Sequence, residues 1–161
     1  MAAGDAARVR PTRVLIADQE RRAALALAGS LSSEDDISYV GTADCVQSAY
    51  DLTSALEPDV VVIALRLGDG DGIRATAELK YHFTDLRVIV LTDVFDTEIV
   101  PRAAAARASA LLPDDGDLSE MLDAIRDEDS DEIYVNPRVH SRLGACETVM
   151  PLRRRLRLTA R

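Results

Sequence analysis

The side chains able to do chemistry in this chain are mostly carboxylates, and several come in pairs: Asp69 and Asp71 inside Gly68-Asp69-Gly70-Asp71-Gly72, and Asp114 beside Asp115, with Asp18 and Asp93 standing alone. Clustered carboxylates are the hard oxygen ligands that Mg2+ and Ca2+ prefer, so cation binding is the first chemistry to weigh. The Gly-Asp-Gly-Asp-Gly stretch has the look of a calcium loop, but no Glu stands at the distance such a loop requires. Solvated turn acids are the simpler reading. His82 and His140 have no paired Ser, Cys or carboxylate motif. Cys45 and Cys146 lie far apart and outside any CxxC or Cys/His ligand spacing, so neither a zinc site nor a disulfide framework is indicated and both read as buried thiols. No glycine-rich phosphate loop follows the first apolar run, which disfavours dinucleotide and flavin binding. The four alanines at 103–106 read as a close-packed helix face. These residues predict no enzyme, no metal and no cofactor.

The length of 161 residues fits one ordinary domain with a short appendage. An apolar share of 47% is enough for a core, while 4% aromatic residues and no Trp argue against a stacking platform for single-stranded nucleic acid. The net charge is −9, unevenly spread: residues 151–161 carry five Arg and no acid, which leaves −14 on the rest. Such a body is a poor match for DNA phosphates. No apolar run approaches membrane-spanning length and residues 1–10 contain no signal-type apolar segment, so a cytoplasmic setting away from membranes is expected.

The elements that must position these acids follow from periodicity. Short apolar runs at 14–17, 37–41, 60–63, 88–91 and 108–112 alternate with helical stripes, the pattern of a doubly wound parallel α/β sheet of five strands. Ala24, Leu27, Ala28 and Leu31 form one apolar face, and Cys45, Ala49, Leu52 and Leu56 a second, with Asp44 as its expected cap. A third helix begins near Gly72. A fourth starts near Thr97, where Pro101 is tolerated in the first turn. The fifth carries Leu118, Met121, Leu122 and Ile125, with Asp117 and Glu120 spaced as a capping pair. Beyond Asp127 comes an acidic stretch, then Asn136-Pro137 as a helix start and Val139, Leu143, Cys146 and Met150 at helical spacing. The expected division is an N-terminal arm (1–11), a main domain (12–127), an acidic linker with an amphipathic helix (128–152) and an Arg-rich end (153–161).

In open parallel sheets, ligands sit at the carboxyl ends of the strands where strand order reverses. The residues there are Asp18 and Gln19, Ala64, Thr92 and Asp93, and Pro113 to Asp115. Together with Val14-Leu15-Ile16-Ala17-Asp18, Pro58-Asp59-Val60-Val61-Val62-Ile63, Asp71-Gly72-Ile73, Val88-Ile89-Val90-Leu91-Thr92 and Ala108-Ser109-Ala110-Leu111-Leu112, this constellation resembles the receiver domain of bacterial response regulators over about residues 12–127. Its style is most similar to receivers of LuxR-type (NarL/FixJ) transcription factors, and so are Tyr134-Val135-Asn136-Pro137-Arg138-Val139 and the closing Leu158-Thr159-Ala160-Arg161, which looks like the start of a helix-turn-helix domain. The resemblance implies a flavodoxin-like (βα)5 fold with a C-terminal linker helix.

The resemblance also implies phosphoryl transfer onto an aspartate supported by Mg2+, and here the residues depart from it. Asp18 is kept, but Gln19 replaces the second acid after the first strand. Ala64 stands where the acceptor aspartate belongs, and a methyl group accepts no phosphoryl group. Thr92 keeps the hydroxyl. Asp114 occupies the position of the lysine, and Leu111 that of the aromatic rotor. The expected function is therefore a phosphorylation-independent receiver that acts as a homodimer and reaches DNA through a C-terminal domain beyond this chain. By resemblance, the dimer surface involves either the fourth helix, fifth strand and fifth helix or the first and fifth helices, with Arg102, Arg107 and Arg126 meeting Glu98 or Asp123. Two alternatives stay open: a small-molecule sensor using the vacated pocket around Ala64, Gln19 and Thr92, and a conventional receiver using Asp69 as acceptor.

Overall fold

The computed structural model describes residues 10–128 and 131–141. Most of the expected N-terminal arm, the stripe residues Leu143, Cys146 and Met150, and the Arg-rich end lie outside the described residues.

Strands β1 (Thr12–Ala17), β3 (Val60–Ala64) and β6 (Arg87–Thr92) are runs of Val, Ile and Leu that are apolar on both faces, so they are stable only with cover on both sides. With β2 (Ile37–Ala43), β7 (Ala110–Pro113) and β8 (Tyr134–Val135) they form one parallel sheet in the order β2-β1-β3-β6-β7-β8. Helices α2 (Val46–Leu56), α3 (Gly72–His82) and α4 (Ile99–Ala105) cover the face carrying Leu15, Val61, Ile63, Val88, Val90 and Leu111. The opposite face, with Val14, Ile16, Val62, Ile89 and Leu112, is covered by α1 (Arg21–Ser32) and α5 (Leu118–Arg126). This alternation along each strand is the period of two that a pleated strand imposes. Each fully buried aliphatic side chain contributes about 1.5–3 kcal/mol. A small antiparallel hairpin, β4 (Arg66–Leu67) with β5 (Gly70–Asp71), links β3 to α3, and α6 (Pro137–Ser141) follows β8. No described helix is long and apolar enough to cross a membrane.

All five expected strands are present, with shifted ends. The second runs on to Ala43, and the fifth starts at Ala110 because the Ala108 N–H turns back to the Ala103 carbonyl (3.1 Å) and closes α4. A sixth strand, β8, lies beyond residue 127 and is additional to the five expected. The Tyr134 N–H donates to the Ser109 carbonyl and the Asn136 N–H to that of Leu111, both at 3.0 Å, so part of the expected linker completes the sheet.

Two expected caps are also corrected. Cys45, not Asp44, caps α2: its Sγ accepts the Ser48 N–H (3.4 Å) while the Ser48 Oγ accepts the Cys45 N–H (3.2 Å), and the thiol is only half-buried. At α5 neither Asp117 nor Glu120 closes a capping pair, because the Glu120 carboxylate is drawn to β8. The start of α6 is as expected, with the Asn136 Oδ1 accepting the Arg138 N–H at 2.7 Å.

Candidate functional site at the carboxyl rim of the sheet

The strand order reverses at β1, whose neighbours β2 and β3 lie on either side, so the end of β1 is the switch point at which such sheets place their sites. In register, Ala17 faces Ile63, Ala64 faces Leu91, and Thr92 faces Pro113. The residues that follow these pairs share one rim.

Asp18 is half-buried, and its Oδ1 accepts the Glu20 N–H at 2.8 Å, which starts α1. Burial pushes its carboxyl up; that hydrogen bond works against the shift and the nearby Glu20 charge adds to it. Gln19 is exposed. Ala64 ends β3 with its methyl half-buried. Beneath it the N-terminus of α3 comes so close that a Cβ on Gly72 would lie 2.1 Å from the Ala64 carbonyl oxygen. Only glycine fits there. Thr92 is fully buried, and its Oγ1 both accepts the Val94 N–H and donates to the Val94 carbonyl, each at 2.9 Å, so the hydroxyl is engaged by its own turn. Asp114 is exposed; its carboxyl is pushed up by partial burial and then by the charges of Asp93 and Asp115. Leu111 is fully buried within β7, beside Val90 and Val135, and belongs to the core.

Asp18, Gln19, Ala64 and Asp114 therefore come together, with Thr92 turned inward and Leu111 removed from the rim. They open into a cleft of about 530 Å3 that continues between α1 and α5 over Leu27, Leu112, Leu118 and Met121. Seven acids line it (Asp18, Glu20, Asp93, Asp114, Asp115, Asp117 and Glu120), and among the described lining residues Arg66 is the one cation, 3.6 Å from Asp93.

The acids of the Gly-Asp-Gly-Asp-Gly stretch serve helix starts. The Asp69 Oδ1 accepts the Val46 N–H of α2 at 2.9 Å, and the Asp71 Oδ1 accepts those of Ile73 (2.7 Å) and Arg74 (3.4 Å) while its other oxygen pairs with Arg102. The residues expected at a dimer surface are dispersed. Arg102 is held by Asp71 near the carboxyl rim, Arg126 is bound to Glu34 and Asp36 at the amino end, and Arg107 follows α4 with a left-handed φ of 66°. Glu98 is exposed before α4, and Asp123 is half-buried on α5. Two of the three arginines are thus engaged within the chain.

One feature of the rim has no counterpart in the sequence reading. Glu120 of α5 accepts hydrogen bonds from the Tyr134 hydroxyl and from the Asn136 Nδ2 (2.5 Å), and Asp115 holds Arg138 at 3.2 Å. These contacts tie α5 and the β7–α5 loop to β8 and α6. The one available signal is Tyr134-Val135, a β-favouring pair stopped by Asn136-Pro137.

The response regulator receiver domain model matches residues 14–126. Among curated relatives, VraR of Staphylococcus epidermidis is 27% identical over 127 residues, covering 79% of this chain and 61% of the relative, so the chain spans about three-fifths of that protein's length. Among solved structures, the receiver domain of NarL from Mycobacterium tuberculosis matches with a TM-score of 0.67 and 24% identity, over 73% of this chain and 98% of that one. RcsB of Salmonella typhimurium gives 0.73 and 20%, over 84% of this chain and 66% of that one; RcsB has also been solved as two dimers bound to two parallel DNAs. Both likenesses are of fold. With a parallel sheet of the matching topology and a model match over most of its length, the chain belongs to the response regulator receiver domain family.

Proposed function

We propose that this chain is a phosphorylation-independent receiver, an association module and not an enzyme, that serves a DNA-binding transcriptional regulator. The observation that carries the reading is the end of β3, where Ala64 offers a methyl group to the rim. The Mg2+ that receiver chemistry implies does not fit the donor set. Of the three positions that resemblance assigns to the metal, Asp18 alone is a carboxylate and already accepts the Glu20 N–H, Gln19 is a weak neutral ligand, and Ala64 supplies none. Nor is a counterion for a new phosphate found where resemblance places a lysine: that position holds Asp114, which feels the charges of Asp93 and Asp115.

Regulation then rests on contacts between proteins. Dimerisation is the expected output, since a two-fold assembly presents paired DNA-binding domains to paired half-sites, and the RcsB dimers on DNA support it by analogy of fold. The DNA-binding part would lie beyond this chain, consistent with the greater length of VraR. Incubation with a small phosphodonor and Mg2+ tests the reading: intact-mass measurement should find the unmodified chain, and a stoichiometric acid-labile adduct overturns it.

The cleft motivates a second reading, in which a small molecule bound beside Ala64 and Gln19 controls association. A reproducible rise in melting temperature with one compound from a metabolite panel would favour it.

A further inference from the structure

Residues 93–98 lead from β6 to α4, and the chain's own side chains hold this segment along its length. At its start the Thr92 Oγ1 accepts the Val94 N–H and donates to the Val94 carbonyl, both at 2.9 Å, from a residue with no exposed surface. The hydroxyl proton and a lone pair are thus both occupied by Val94. In the middle, Val94 and Phe95 pack against the core layer that contains Ile99, Ala103 and Leu111. The Asp96 Oδ1 then accepts the Glu98 N–H at 3.0 Å, and past the segment Arg102 of α4 reaches Asp71 at the start of α3. These anchors matter because α4 has seven residues and starts at Glu98 without a side-chain cap among the described residues. So short a helix takes its position from tertiary contacts and not from its own hydrogen bonds.

We infer that Thr92, Phe95 and Arg102 form a clasp that keeps the β6–α4 segment and α4 in one position. A switching element needs two arrangements close in free energy, and each of these contacts deepens a single well. Leu111, at the place that resemblance gives to the rotor, is fully buried in the layer on which Phe95 packs. A side chain in a packed layer cannot swing out without leaving a cavity behind it. The Thr92 hydroxyl, at the place of the phosphate grip, reaches outward only by releasing both Val94 groups. The clasp rests on the phosphorylation-independent reading and gives it a mechanical cause: α4 keeps its place with no signal to set it there.

NMR relaxation dispersion on the whole 161-residue chain is a direct probe, because it detects exchange on the microsecond-to-millisecond timescale of such switches. The amides of residues 93–106 should show none in the parent, and dispersion there overturns the inference. Native-state amide exchange then tests the parts. Thr92→Val keeps the side-chain shape and removes the hydroxyl, so exchange at Val94 and Phe95 should quicken about tenfold while β1 and β3 keep their protection. Thr92→Ser retains the hydroxyl and should stay within about twofold of the parent. Equal rates in Thr92→Val and the parent overturn the inference, as does a Thr92→Ser variant that exchanges as fast as Thr92→Val, which would assign the effect to the methyl group. Arg102→Gln should quicken exchange at Ala103 and Ala106 about threefold, and unchanged rates there overturn it as well. The dispersion measurement uses the parent alone, so it stays decisive if a variant fails to fold. A phosphoryl adduct in the separate phosphodonor experiment would strike the phosphorylation-independent reading and leave these rates intact, whereas dispersion in the parent would strike the clasp and leave that reading standing.

Discussion

Asp71 and Gly72, adjacent in the chain, anchor α3 under the rim by different physics. Burial pushes the Asp71 carboxyl up, but the Arg102 guanidinium and the N–H groups of Ile73 and Arg74 outweigh it and hold the group below its ordinary value of 3.8. A carboxylate depressed in this way adds stability that is complete above the unfolded value and is lost as pH falls through the folded one. Asp71→Ala should therefore cost about 1–2 kcal/mol at neutral pH, with a smaller loss for Asp71→Asn, which keeps a capping oxygen. Denaturant titrations at pH 7 and pH 3 should show the gap between parent and Asp71→Ala narrowing in acid. Gly72→Ala forces a methyl against the Ala64 carbonyl, a backbone atom that cannot move aside, and should cost at least about 2–3 kcal/mol by the same titration. Ala64→Asp should restore no rapid phosphorylation by a small phosphodonor, because Gln19 still weakens the metal site and Asp114 still repels the product; fast modification of that variant would show these two departures to be unimportant.

At the scale of elements, the central strands were legible because burial on both faces demands uninterrupted apolar runs, and the ends of the runs together with the resemblance led to Ala64 and Asp114 as rim residues. Side-chain partners were not legible. Glu120 sits where a helix cap belongs in the sequence, yet the fold brings Tyr134 and Asn136, 14 and 16 residues away, within its reach, and a bidentate carboxylate prefers two side-chain donors to one exposed backbone N–H. Asp44 lost its expected role in a similar way to the residue beside it, since the Cys45 thiol and Ser48 satisfy each other across the first turn. Glu120→Ala removes the carboxylate that both the Tyr134 hydroxyl and the Asn136 amide bind, a loss of about 1–3 kcal/mol. Amide exchange at Tyr134 and Asn136 should quicken in that variant while β1 and β3 keep their protection. An unchanged exchange pattern would mean that the backbone ladder alone holds β8.

For the whole molecule, the position of the cleft bears on how two copies could pair. A dimer built on the first and fifth helices would cover the cleft between them. Pairing through α4, β7 and α5 could draw on Arg102 only if it left Asp71.

The two residues of β8 have a practical consequence for anyone trimming this protein. They shield the outer flank of β7, where the Ser109 and Leu111 carbonyls would otherwise face solvent beside Leu111, Tyr134 and Val139 would no longer be there to cover the hydrophobic layer, and Pro113 offers no N–H to a replacement. Bare flanks of this kind recruit neighbouring molecules. A fragment ending at Asp127 should scatter light and pellet, whereas one ending at Ser141 should stay in the supernatant at the same concentration. Insolubility of the shorter piece would then report a missing selvedge and carry no message about signalling.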